Sequence, residues 1–461
     1  MPDVVIVDSG VANLASITSG FARLAAGVVV TRDPTVVRQA PRVVLPGVGA
    51  FGAGMGALRA GGLDAAIRDV AASGTPLLGI CLGMQLLCEA SEETPGVRGL
   101  GVIAGACRRL PADVRVPHLG WNMVTAPSNA RLVTTGVAAF ANSYALLDDQ
   151  AGWTAAWATH GVRFVAALEH DGVLACQFHP ELSGAYGAAL LDRWLTGAKA
   201  VPTPAITGAT PGLLPRVVPC LDVKDGRVVK GVRFQELRDA GDPATQAAAY
   251  ESQGADEIVV LDVAASAEAR ATQVDTVAGV RAAIRIPLTV GGGVRSVDDA
   301  RRLLAAGADK VSVNTAAIAR PALLREVASE FGSQCVVLAI DAQRSGEGWA
   351  ALTHGGRVLA RADAVEWALE GAGLGAGEIL LTSWDRDGTR AGPDLELLRA
   401  VVRAVPVPVI ASGGIGERDH VAQALSAGAN AVLAASVFHD GDDTVRGIKD
   451  DLSLRGFRVR R

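Results

Sequence analysis

The chain has 461 residues, 49% of them apolar and 20% charged, with 54 glycines, 4% aromatics and a net charge of −5. This composition excludes a largely disordered chain and gives no basic footprint for nucleic acid; small aliphatic cores with many glycine turns favour α/β architecture. No apolar run reaches the roughly 18 residues of a membrane helix. Six scattered cysteines without a CxxC pair argue against a disulfide framework or structural zinc, so a reducing cytoplasm is expected, with no metal or cofactor.

The start, Met1-Pro2-Asp3, runs directly into an apolar segment without the basic region of a secretory signal. In chain order, strands are predicted at Val4–Asp8, Val28–Thr31, Arg42–Leu45, Leu77–Ile80 and Val173–Gln177. Amphipathic helices are expected at Asn13–Ala25 and Gly62–Ala72. Alternating strands and helices predict a sheet with helices on both faces. Residues 197–215 carry four prolines and three glycines among small residues and read as a linker. The expected domains are therefore 1–196 and 216–461, the second having the size of a (β/α)8 barrel.

The second half repeats itself at an offset of 121. Ile286-Pro-Leu-Thr-Val-Gly-Gly-Gly-Val294 matches Val407-Pro-Val-Ile-Ala-Ser-Gly-Gly-Ile415, and Ala306-Gly-Ala-Asp309 matches Ala427-Gly-Ala-Asn430. A repeat of this length holds four strand–helix units, half a barrel. Strands are predicted to begin near Val217, Ile258, Leu288, Val311, Val336, Ile379, Val409 and Ala431.

In the first half, Pro76-Leu-Leu-Gly-Ile-Cys81-Leu-Gly-Met-Gln85 reads as strand, sharp turn, helix. A cysteine at such an elbow is presented at a helix N-terminus, where the dipole favours a thiolate. Downstream, Gln177-Phe-His179-Pro-Glu181 supplies a base and a carboxylate to orient it. These segments, with Leu45-Pro-Gly-Val-Gly-Ala-Phe51 and Pro117-His-Leu-Gly-Trp-Asn122, resemble class I glutamine amidotransferases, most of all the glutaminase subunit of imidazole glycerol phosphate synthases. The resemblance covers nearly the whole first half. It implies a flavodoxin-like α/β fold in which Cys81 attacks glutamine, His179 shuttles the proton and Glu181 holds the imidazole. It also implies an oxyanion hole around Gly47–Gly49 and Leu82, with Gln85, Ser143 and Tyr144 helping to hold glutamine. The chain departs from the family at Ser9, Ala12, Asn142 and Leu182.

In a (β/α)8 barrel the chemistry sits at the carboxyl ends of the strands. Asp222 and Asp341 end predicted strands one and five, and two carboxylates facing one pocket can serve as general acid and base. Asp262 ends strand two, where helix capping is the alternative role. Gly291-Gly292-Gly293 and Ser412-Gly413-Gly414 occupy equivalent repeat positions, followed in the next unit by Asn314-Thr315 and Ser436. Paired glycine cradles suggest a ligand with a phosphate at each end. Lys224 and Lys230 follow strand one, where a cation can steer such a ligand; Asp387 and Gly388 stand in an acidic loop after strand six.

This half resembles the cyclase subunit of the same synthases along essentially its full length, through Cys220-Leu-Asp-Val-Lys-Asp-Gly-Arg-Val-Val-Lys-Gly231, Thr289-Val-Gly-Gly-Gly293 and Asp385-Arg-Asp-Gly-Thr389. The resemblance implies ring closure on a nucleotide bearing two phosphates, with Asp222 and Asp341 as acid/base catalysts assisted by Lys230. Arg216, Glu257, Lys310 and Glu378 immediately precede or open four strands and are expected to form a charged ring, which the resemblance implies is the gate of an ammonia channel. Asp309 is expected to face the glutaminase; its usual lysine partner corresponds to Leu182, so weaker or differently routed coupling is expected. The fusion supplies the two-subunit contact within one chain, so a monomer is expected, with small-molecule substrates and neither nucleic acid nor membrane as partner. Two alternatives stand beside this reading: a phosphoribosyl-formimino isomerase-type barrel, and a degenerate regulatory first half. The fused amidotransferase argues against the one, since an isomerase needs no ammonia; the intact Cys81, His179 and Glu181 argue against the other.

Overall fold

The computed structural model describes the backbone of residues 2–10, 13–200, 212–232, 235–263, 274–356 and 358–461, and all of their side chains except those of 230–232 and 235–238. Ala12, most of the expected linker and the Lys230 side chain thus lie outside the described residues. Two compact units are distinguished: one runs to Leu213, the other from Leu214 to Arg461 apart from residues 330–332.

The first unit contains strands β1 (Val4–Val7), β2 (Val28–Thr31), β3 (Val43–Leu45), β4 (Leu77–Ile80), β5 (Cys88–Ser91), β6 (Ile103–Arg109), β7 (His118–Val124), β8 (Gly136–Asn142), β9 (Tyr144–Leu146), β10 (Thr154–His160), β11 (Val162–His170) and β12 (Val173–Cys176). A seven-stranded sheet runs β10-β11-β12-β4-β3-β1-β2. From β12 to β2 it is parallel; β10 and β11 add antiparallel strands at one edge. Strand residues alternate between two cores: Val5, Val7, Val43 and Leu45 on one face, Val4, Ile6 and Val44 on the other. Every residue of β1, β3, β4 and β12 is buried, as a sheet covered on both faces requires. The sequence reading located the parallel strands to within a residue. It missed β5 to β11, because strands with polar or half-exposed faces lack the uniform apolar signal of a doubly covered strand.

The second unit contains β13 (Arg216–Lys224), β14 (Arg227–Val232), β15 (Gln235–Gly241), β16 (Ile258–Asp262), β17 (Leu288–Gly291), β18 (Lys310–Val313), β19 (Val336–Ser345), β20 (Gly348–Thr353), β21 (Val358–Arg361), β22 (Glu378–Ser383), β23 (Val409–Ser412) and β24 (Ala431–Ala434). Eight parallel strands, β13-β16-β17-β18-β19-β22-β23-β24, close on themselves through β24 and β13. Two antiparallel excursions, β14–β15 and β20–β21, extend strands one and five. Side chains alternate along each strand, so Arg216, Val218, Cys220 and Asp222 share one face. Val218 and Cys220 join Val259, Val337, Leu380, Ile410 and Leu433 in an apolar core cluster.

The elbow after β4 depends on glycine. A Cβ on Gly83 would lie 1.9 Å from the Leu45 carbonyl oxygen, so the helix Leu82–Leu87 packs on β3 only without one. Gly83→Ala is expected to destabilise the first unit by about 1–3 kcal/mol through overpacking. A fall in the midpoint of thermal unfolding followed on Trp121 and its neighbours would show it.

Candidate active sites

Strand β12 lies parallel to β4 with Cys176 opposite Ile80, so the residues just beyond the two strands emerge side by side. Cys81 directly follows β4 with φ +51°, a left-handed conformation unusual outside glycine, and its amide donates to the Cys176 carbonyl at 2.7 Å. A backbone so held costs about 1–3 kcal/mol and is retained where it aims a side chain. Beyond β12, His179 Nδ1 stands 2.8 Å from Glu181 Oε1, and the imidazole is in hydrogen-bonding contact with Cys81. All three side chains are buried. Burial opposes a charge on His179, but the Cys81 sulfur and the Glu181 carboxylate outweigh it and push the imidazole well above its ordinary value. The Ser183 hydroxyl donates to the His179 carbonyl at 2.6 Å and accepts the Ala139 amide, fixing the backbone that carries the histidine.

Gly49 has φ +109°. The Leu82 amide, expected to serve the oxyanion hole, donates to the Gly47 carbonyl at 3.3 Å in this conformation. Buried Gln85 donates through Nε2 to the Tyr144 carbonyl and to Gln177 Oε1, both at 3.0 Å. The Tyr144 ring packs on the core, and the Ser143 carbonyl accepts the Leu110 amide. Asn142, one of the departures from the family pattern, accepts from His118 Nδ1 at 3.3 Å and donates to the Tyr144 carbonyl at 3.1 Å. Sequence reasoning missed His118 and Gln177 as members of this network. Their signal was present, as polar residues at the ends of apolar strands.

At the carboxyl end of the barrel a cavity of about 570 Å³ is lined by Asp222, Asp341, Asp387, Gly388 and both glycine cradles. Asn314, Thr315 and Ser436 line it too, as do Asp262, Arg295, Arg320, His354 and Arg390. The last four were not singled out from sequence, although Arg295 directly follows the Gly291–Gly293 run and its Val294. Whether Asp262 also caps a helix falls on residues 264–273, which lie outside the described residues. The cradles match closely: φ is +93° at Gly292 and +91° at Gly413, +68° at Gly293 and +82° at Gly414. Each first glycine packs on the carbonyl ending the preceding strand, of Asp262 or Ser383. The Thr315 hydroxyl accepts the His354 amide at 3.1 Å.

The paired carboxylates are both pushed up to about 7, by burial first and then by the charge of Asp387. The Cys220 thiol donates to Asp222 at 3.5 Å and Asn314 Nδ2 to Asp341 at 3.0 Å, each favouring the charged form. Groups near 7 can both give and take a proton at neutral pH.

Within the barrel, Arg216 pairs with Glu257 at 2.6 Å and with Glu378, while Lys310 pairs with Glu378 at 2.5 Å and Glu257 at 2.7 Å. The four side chains close an alternating ring, each 6% exposed or less. Burial opposes charge throughout, yet the two cations hold Glu257 below its ordinary range. Asp309, expected to face the first unit, is engaged inside its own barrel: it pairs with buried Arg281 at 3.0 Å and accepts the Leu288 amide at 2.8 Å. Its repeat equivalent Asn430 accepts the Val409 amide in the same way, at 3.1 Å.

A family model of glutamine amidotransferase class-I matches residues 5–196, and one of histidine biosynthesis protein matches 216–444. The barrel is 60% identical over 244 residues to imidazole glycerol phosphate synthase subunit HisF of Nocardia farcinica (strain IFM 10152), spanning 51% of this chain and 95% of that protein. Fold and matches together define a class I glutamine amidotransferase unit joined to a histidine-biosynthesis barrel. The chain belongs to the imidazole glycerol phosphate synthase family, in a form with amidotransferase and cyclase on one polypeptide.

Two outcomes follow. Because folding raises the two aspartates from 3.8 to about 7, the native barrel binds more protons than the unfolded chain, and it loses stability as pH rises between those values. Asp222→Asn and Asp341→Asn should therefore abolish turnover yet stabilise the barrel by about 1 kcal/mol at pH 8, with a smaller gain near pH 5. Denaturant titrations at the two pH values test this. Asp309→Ala leaves Arg281 buried without that partner and should cost the barrel about 3 kcal/mol, read from the same titrations.

Proposed function

We propose that this chain is a bifunctional synthase that makes ammonia from glutamine and uses it to build an imidazole. The observation that carries the reading is the coexistence of a Cys81–His179–Glu181 triad with paired Asp222 and Asp341 carboxylates in one polypeptide. Cys81 attacks the carboxamide carbon, and His179 moves the thiol proton to the departing nitrogen. Ammonia leaves and a glutamyl thioester remains. Water then attacks the thioester, His179 accepts its proton, and glutamate is released. Gly49 lies in the segment that stabilises the oxyanion, and Gln85, Ser143 and Tyr144 position the substrate.

In the barrel, ammonia adds to phosphoribulosyl-formimino-AICAR phosphate. Asp222 and Asp341 exchange protons during closure of the imidazole and cleavage of the remaining bond, giving imidazole glycerol phosphate and AICAR. The overall barrel reaction is of the lyase class. The glycine cradles with Asn314, Thr315, Ser412 and Ser436 hold the two phosphates, Lys230 assists at the first aspartate, and Asp387 and Gly388 cover the ligand. Arg216, Glu257, Lys310 and Glu378 gate the entry of ammonia. A cytoplasmic monomer without cofactor suits these substrates. Among the described residues no helix is long and apolar enough to cross a membrane.

Cys81→Ser should abolish glutamine-dependent synthesis while leaving synthesis from added ammonium salt within about twofold of the parent, since the barrel keeps its own catalysts. Glutamate release with and without the nucleotide, followed beside product formation, tests this. Survival of glutamine-dependent synthesis would overturn the triad.

A further inference from the structure

Hydrogen-bond direction can be traced through the core of the first unit to the sulfur of Cys81. A backbone carbonyl only accepts. The Tyr144 carbonyl takes one N–H of Gln85 Nε2 at 3.0 Å, which fixes the orientation of the Gln85 amide. The same Nε2 lies 3.0 Å from Gln177 Oε1, so the second N–H goes there. Gln177 therefore turns its oxygen to Gln85 and its nitrogen to Cys81, where Nε2 lies 3.6 Å from Sγ. Register makes this contact obligatory: Cys176 stands opposite Ile80, so the next residue on each strand, Gln177 and Cys81, are neighbours. Gln177 is fully buried and has no room to face solvent instead.

A backbone carbonyl beside the sulfur explains what this donor does. The thiol donates to the Ala141 carbonyl at 3.8 Å. Once the proton passes to His179, that carbonyl oxygen faces a sulfur anion and opposes it. A fixed N–H donor on another side of the sulfur offsets the repulsion. We propose that Gln177 is a further catalytic residue of the glutaminase, donating its amide N–H to the Cys81 sulfur whenever that sulfur carries negative charge. The proposal rests on the triad reading above. Two steps require it. In the first, the proton moves from sulfur to His179 before attack. In the second, water adds to the thioester carbon, its proton goes to His179, the carbon–sulfur bond breaks, and the electron pair returns to sulfur.

The test is alkylation of Cys81 by iodoacetamide in the full chain, read by the mass of the Cys81 peptide from about pH 5 to 9. Gln177→Leu keeps the volume and removes the donor. It should move the pH–rate profile upward by about one unit and lower the rate at pH 7 about tenfold. Gln177→Glu can still accept from Gln85 but presents a carboxylate oxygen to the sulfur, and should shift the profile at least as far. A cooperative thermal unfolding transition of the first unit, followed on buried Trp121 and kept by both variants, reports that this unit is folded. Parent-like alkylation profiles in both variants would overturn the role of Gln177. That failure is distinct from failure of the triad, which glutamine hydrolysis by Cys81→Ser would reveal.

Discussion

The pairing of β12 with β4 is the constraint on which the first site rests. Parallel strands in register deliver their next residues to the same place, and here those residues are Cys81 and Gln177, with His179 two positions further along. The two segments lie about a hundred residues apart in sequence. Local geometry then refines what register supplies: a left-handed Cys81, glycines at 47 and 83 that let the helix approach, and Ser183 clamping the histidine backbone. Burial makes each of these contacts count, since charges kept from water interact more strongly with fixed partners.

The barrel solves a related problem by alternation. On one face of β13, Arg216 and Asp222 are six residues and so about 20 Å apart, with Val218 and Cys220 between them. The same strands carry a buried, charge-balanced ring at one level and proton-exchanging carboxylates at the other. The two levels are electrostatic opposites. In the ring every charge finds two partners of opposite sign, and the two cations hold Glu257 below its ordinary range; at the mouth Asp387 repels both Asp222 and Asp341, which titrate near neutrality.

Much of this was legible in the sequence, because doubly buried parallel strands are short apolar runs and because the half-barrel repeat fixes eight strand starts. The triad was legible for the same reason: its members stand at the ends of such runs. What escaped shares a different character. The strands β5 to β11 carry mixed polar and apolar residues that resemble loops. Gln177 and His118 act through partners distant in sequence, and no local pattern announces which way a buried amide points. Asp309 likewise holds a tie with Arg281 and Leu288 that only the folded barrel brings together.

Duplication leaves a mark on how the two carboxylates differ. Asp222 lies opposite Leu261 and Asp341 opposite Thr382, positions exactly one repeat apart, so the two acids occupy equivalent places in the two half-barrels. Their neighbours do not match. Asp341 receives an amide N–H from Asn314, whose repeat equivalent is Ala435, a residue with nothing to donate; Asp222 receives instead the weaker S–H of Cys220. The ring is unbalanced in a similar way: Glu257 and Glu378 are repeat equivalents, but both cations, Arg216 and Lys310, come from the first half. A mouth formed by copying would greet either end of a ligand alike. These few unmatched side chains give it a head and a tail.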